Sequence, residues 1–217
     1  MDKEANGTRA PHWNWPNKVG ENVPVMVYTN AEQVELFVNG NSMGRQTKGV
    51  DTVKLPVALK YDKETTFFDS PYRLLWNVDY QPDEIKVVAY NKGKVVATKD
   101  IKTAGVPSKL VLTPDRSQLT ADGYDLSYIT VEVQDKDGNL VPDADNLIQF
   151  KVTGAAEVAA VGNGDSATTA PFNADYRRAF YGKAMLILKT KKGQTGKINV
   201  SAYADNLQVT PIQLTAI

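Results

Sequence analysis

His12-Trp13-Asn14-Trp15-Pro16 gathers an imidazole, two indoles and an amide into five residues. Pyranose rings stack their apolar faces on indoles, and the indole N–H is a further hydrogen-bond donor. Tryptophans at i and i+2 of an extended segment share one face, the geometry of a sugar platform. The competing role is burial, because indoles are largely buried on average. One or both would then plug a sandwich or seal a contact with a neighbouring domain, and packing is the favoured expectation. His12, Trp13, Asn14 and Trp15 are therefore the candidates for carbohydrate or interdomain contact. His12 is the only histidine, so neither an HxxxH pair nor a His-rich metal site can form. Its expected role is to order the loop before the first strand, with a hydrogen bond to sugar as the alternative.

Other clusters read as structure. Asp135-Lys136-Asp137-Gly138-Asn139 has the outline of a calcium loop. It lacks the third ligand before the glycine and the glutamate at position twelve, so it is expected to be a hairpin turn. Gly162-Asn163-Gly164-Asp165 has no strand–helix context for phosphate and is expected to be a tight turn with positive-φ glycines. Asp175-Tyr176-Arg177-Arg178 reads as a solvated loop, and Lys189 to Lys192 with Gly193 as a charged hairpin tip. Glu32, Glu35 and Glu132 occupy turn or solvent-facing positions. Without cysteine there are no disulfides or thiolate sites. No catalytic residue, metal site or cofactor is expected.

These residues sit among many short strands. Val25 to Tyr28, Val34 to Val38, Tyr72 to Val78, Ile85 to Tyr90 and Val95 to Thr98 come first, with favoured turns such as Asn39-Gly40 between them. Val34, Leu36 and Val38 share one inward face. After Thr103-Ala104-Gly105-Val106-Pro107 follow Leu110 to Leu112, Tyr128 to Gln134, Ile148 to Val152, Ala184 to Leu188, Ile198 to Ala202 and Leu207 to Leu214. Trp76, in a Leu-Leu-Trp strand, is a core residue. Short strands with frequent turns predict an all-β chain of two tandem antiparallel immunoglobulin-like β-sandwiches. The domains are expected at 11–105 and 106–217, after a disordered or cloning-derived segment at 1–10.

Composition limits the partners. At 217 residues, 42% hydrophobic and 23% charged, the chain suits one or two globular domains. Basic and acidic residues number 25 each, so the charge footprint of a nucleic-acid binder is missing. No apolar run reaches the roughly 18 residues of a membrane span, so no membrane insertion is expected.

HWNWP followed by VPVMVYTNAEQVELFVNG resembles the small β-domain that follows the catalytic barrel in family 2 glycoside hydrolases, the β-galactosidase-like enzymes. The stretch TAGVPSKLVLTPDRSQLTADGYDLSYITVEVQDKDGNLVPDADNLIQFKVTG is similar to the immunoglobulin-like domain closing those enzymes. The GNGD and RRAFYGKAMLIL segments fit the same pattern. Residues 50 to 70 fit it poorly. The family's chemistry implies two glutamates about 5 Å apart, on a barrel that normally needs at least roughly 200 residues. No glutamate beyond the N-terminal tail lies in anything like a barrel motif. The resemblance implies a non-catalytic C-terminal accessory region that packs on and supports the catalytic barrel, in a bacterial enzyme working in the periplasm or outside the cell. The alternatives are a carbohydrate-binding module using Trp13 and Trp15, with a glycan as partner, and an Ig-like spacer or adhesion module.

Overall fold

Residues 11–51, 54–57, 66–69 and 72–217 are described by a computed structural model. They fold into two compact units, one ending at Thr103 and the other spanning Ala104–Ile217. Among the described residues the only helical turn is a 3₁₀ turn at Pro16–Lys18. Everything else regular is β, as the alternating sequence predicts.

The first unit contains β1 (Asn22–Tyr28), β2 (Gln33–Val38), β3 (Asn41–Thr47), β4 (Lys54–Val57), β5 (Thr66–Asp69), β6 (Arg73–Asp79), β7 (Glu84–Asn91) and β8 (Lys94–Lys102). A four-stranded sheet runs β3-β2-β7-β8, and β1 pairs with β6 as a second sheet. Val34, Leu36 and Val38 all face inward as expected, and meet Leu74, Trp76 and Val78 of the opposing pair in one buried cluster. Trp76 is 5% exposed and donates its Nε1 hydrogen to the Gly44 carbonyl at 3.1 Å. Asn39 and Gly40 take positive φ, the mirror-image turn that matches strand twist. β4 pairs with β5 from Lys54↔Asp69 to Val57↔Thr66. Residues 52–53, 58–65 and 70 of the poorly fitting stretch, like residues 1–10, lie outside the described residues.

The second unit contains β9 (Lys109–Pro114), β10 (Gln118–Leu119), β11 (Leu126–Gln134), β12 (Leu147–Gly154), β13 (Ala156–Gly162), β14 (Tyr176–Arg178), β15 (Lys183–Thr190), β16 (Gly196–Tyr203), β17 (Gln208–Val209) and β18 (Ile212–Ala216). Its two five-stranded sheets run β10-β18-β16-β12-β14 and β13-β15-β11-β9-β17. Ile129, Val131 and Val133 are wholly buried against Ile148, Leu186 and Ile198. All pairings are antiparallel except β10–β18 and β9–β17, each two residues long. Gly154 has φ +97, and a Cβ there would collide with the Lys197 carbonyl, so only glycine fits this close strand approach.

Two connections expected to be hairpins cross from one sheet to the other. β6 pairs with β1, not with β7, so the Pro82 turn spans the sandwich. The lysine-rich tip before Gly193 likewise leads from β15 to β16 in the opposite sheet. Asp137-Gly138 is a hairpin turn as expected, with Gln134 pairing antiparallel to Leu140 and the Asp135 N–H donating to the Asn139 carbonyl at 2.9 Å, before the chain crosses to β12. Alternation shows that each strand has one apolar face; it does not say whether consecutive faces lie side by side or opposed. The stretch Leu207 to Leu214 is likewise two strands. It breaks at Thr210-Pro211, where β17 stays in one sheet and β18 joins the other. Proline supplies no N–H for the ladder, which favours the break there.

Candidate functional site

The entry segment is built into the first unit from its backbone outward. Trp13 is 3% exposed and its Nε1 donates to the Gln81 carbonyl at 2.9 Å. Its ring meets Tyr80 edge-on at 4.8 Å between centroids. The Trp13 carbonyl accepts the Thr103 hydroxyl at 2.6 Å and the Tyr80 hydroxyl at 3.3 Å, while the Trp15 N–H donates to Tyr80 at 3.1 Å. Tyr80 itself is 1% exposed. The indole and the backbone of Trp13 are therefore both fixed inside the unit, and the ring's face is not open for stacking.

Trp15 is half-buried and leans on the same cluster. Its ring lies 4.4 Å from that of His12, tilted by 35°. His12 Nδ1 accepts the Asn14 N–H at 3.2 Å, which places the neutral ring's proton on Nε2. The structure thus brings His12, Asn14 and Trp15 together as a half-buried turn and sends Trp13 into the core. The Trp15 carbonyl then accepts the Lys18 N–H at 2.9 Å, closing the 3₁₀ turn that Pro16 starts.

Tyr80, Gln81 and Thr103 are the residues that sequence reasoning missed here. A signal for Tyr80 existed: the inward alternation Leu74, Trp76, Val78 continues to it. Thr103 had none, since it meets Trp13 across 90 residues of chain.

The carboxylates considered for chemistry are committed to structure. Glu35 accepts Ser42 at 2.7 Å, Arg45 at 3.0 Å and Tyr90 at 3.2 Å. The Ser42 hydroxyl first, then the Arg45 guanidinium, hold its carboxyl below the usual range. Arg45 also covers the Tyr90 ring at 3.8 Å. Glu32 accepts the Lys92 N–H at 2.6 Å, and Glu132 pairs with Lys183 at 2.9 Å. Asp135 is 2% exposed and receives the N–H groups of Gly105, Asp137 and Asn139 and the Asn139 amide, at 2.8–3.0 Å. Among the described residues there is no acidic or histidine cluster fit to hold a metal.

Two loop expectations need correction. Gly162 and Gly164 do not take positive φ. The turn is held by side chains instead: Asn163 Oδ1 accepts the Asp165 N–H at 3.1 Å, and Asp165 Oδ1 accepts the Ala167 N–H at 2.9 Å. Asx turns of this kind replace what glycine would otherwise supply. Residues 176–178 are strand β14 rather than a solvated loop, with Arg177 pointing inward at 1% exposure. Its guanidinium donates to the carbonyls of Ala170, Val161 and Pro171 at 3.3, 3.0 and 2.7 Å, and so ties down the loop ahead of it. The Arg177 Nε is buried with no hydrogen-bond partner among the described residues.

With this geometry in view, comparison with known proteins places the chain. Residues 110–213 match the family described as Glycoside hydrolase family 2 C-terminal domain 5. Residues 20–97 match a Domain of unknown function (DUF4982). The chain carries the C-terminal β-domains of a family 2 glycoside hydrolase. Beta-galactosidase BoGH2A of Bacteroides ovatus is 41% identical over 207 residues, which is 95% of this chain but 22% of that protein's length. A solved family 2 member from Bacteroides cellulosilyticus superposes with a TM-score of 0.82 at 35% identity, over 96% of this chain and 24% of its own. A β-glycosidase structure from Bacteroides vulgatus gives 0.78 at 28% identity, over 95% and 24%. These family 2 domains therefore span less than a quarter of each such relative.

Proposed function

We propose that these domains form the non-catalytic C-terminal accessory region of a β-galactosidase-like enzyme, packing on its catalytic barrel and supporting it. One observation carries this reading. The likeness covers 95% of this chain yet 22% of the galactosidase, and what it covers is β-sandwich. A barrel of alternating strands and helices would need roughly as many residues as the whole chain has. The acids weighed for chemistry bridge neighbouring strands or fix turns rather than facing one another across a cleft. The parent protein is proposed to work in the periplasm or outside the cell, where polymeric glycans are met.

The isolated 217-residue chain is expected to release no aryl aglycone from β-galactosides or β-glucuronides. Removing this region from the parent enzyme is expected to shorten the half-life of activity on heating while leaving initial hydrolysis measurable. Hydrolysis by the purified chain, abolished by no known contaminant's inhibitor, would overturn the reading.

A further inference from the structure

The outer face of the sheet β10-β18-β16-β12-β14 carries a row of side chains that the supporting role does not use. In the ladder Gln149 pairs with Tyr176 of β14 on one side and with Tyr203 of β16 on the other. Directly paired residues point to the same face, and the neighbours Ile148 and Phe150 point into the core. Tyr176, Gln149 and Tyr203 therefore stand side by side in solvent, with Tyr176 40% and Tyr203 59% exposed. Two strand spacings separate the tyrosines, about 10 Å. That is comparable with the advance of two rings along an extended β-linked glycan. Alternate sugars would meet a phenol ring, and the Gln149 amide would face the hydroxyls of the sugar between them.

The Tyr203 hydroxyl donates to Asp205 at 2.8 Å, which orients its ring. Charge gives the second half of the argument. The exposed charged residues of the strands that flank the row are Lys151 and Arg178, both basic, while the Asp205 carboxylate stands at its Tyr203 end. Arg178 stands next to the row, paired with the exposed Leu147, and Lys151 lies two residues along β12 from Gln149. Neutral sugars offer such cations only hydroxyl acceptors; carboxylated ones add the stronger, charge-assisted pairing.

We propose that this face binds an extended, β-linked acidic polysaccharide, with Tyr176 and Tyr203 stacking alternate rings and Lys151 and Arg178, on either side of the row, meeting carboxylates. The site is on the second unit alone and is separate from His12–Trp15. It goes beyond the supporting role and does not depend on it.

The test is calorimetric titration of the 217-residue chain with a β-linked mannuronate hexamer, beside the neutral cellohexaose. Thermal melts would confirm that each variant is folded, as substitutions at exposed positions should allow. Binding of the mannuronate hexamer is expected, weakened roughly tenfold or more by Tyr176→Ala or Tyr203→Ala. It should also weaken as salt rises, and in the double variant Lys151→Gln/Arg178→Gln. Failure of the folded wild type to bind the hexamer overturns the proposal. So does binding that both tyrosine variants retain, or a preference for cellohexaose. None of these outcomes bears on barrel support, which is read from the parent enzyme's stability.

Discussion

Trp13→Ala is expected to destabilise the first unit by ~4 kcal/mol, within the range measured for large aromatic truncations in cores. The side chain is 3% exposed and packs with Tyr80, Leu74 and Trp76 in one cluster. Its removal leaves a cavity and strips the Gln81 carbonyl of its donor. It also loosens the closure made when Thr103 and Tyr80 hydrogen-bond the Trp13 carbonyl, because the backbone there loses its anchor. Trp15→Ala, at a half-buried indole, is expected to cost about half as much or less. Urea titrations followed by circular dichroism would read both, with hydrogen exchange at β1 and β6 amides reporting the first unit directly. A cost below ~1 kcal/mol for Trp13→Ala would show that the indole is not part of the core. It would also return the sugar-platform role to consideration.

Asp135→Ala is expected to cost ~3 kcal/mol, because four donors lose one shared acceptor. Asp135→Asn removes the charge and turns half the acceptor into a donor, so it is expected to be nearly as damaging. The same carboxylate gives the stability of the second unit a pH dependence. Desolvation pushes its pKa up. The N–H of Gly105, the Asn139 side chain and the N–H groups of Asn139 and Asp137 more than offset this, and hold it below the ordinary aspartate value. A depressed carboxylate favours the folded state above the unfolded pKa of about 3.9. Its contribution is therefore full at neutral pH and is lost as pH falls from about 4 through the lower, folded value. Asp115 and Asp122 are shifted in the same direction and add to the trend. Chemical denaturation between pH 7 and pH 3 should show a flat region followed by an acid-side fall. In Asp135→Asn that fall should be shallower. An identical pH profile in wild type and variant would rule out Asp135 as a contributor.

The fold was legible because strand identity depends on local alternation. Val34-Leu36-Val38 and Ile129-Val131-Val133 each announce one apolar face, and both faces are buried as expected. Pairing was less legible because it is decided by partners distant in sequence. β1 meets β6 with Tyr28 opposite Arg73, 45 residues apart in the numbering, and nothing in either strand names the other. Asn39 shows the same limit. Its turn conformation follows from Asn-Gly, but its side chain also bridges the Pro82 carbonyl and the Glu84 N–H, joining the β2–β3 turn to the crossing before β7. At the candidate site, residue type marked His12 to Trp15 as unusual without separating the buried Trp13 from the half-buried Trp15. Their separation depends on Tyr80 and Thr103, which are far along the chain. Arg177 was unreadable for a different reason: a buried arginine whose described hydrogen-bond acceptors are all carbonyls has the same sequence signature as a solvated one.

The central claim is that this region supports a catalytic barrel, and association is its most direct test. The parent enzyme lacking these residues would be mixed with the 217-residue chain and examined by sedimentation velocity. A one-to-one complex that restores the half-life of activity on heating is the expected result. No complex, together with a truncated enzyme that survives heating as long as the full-length one, would contradict it.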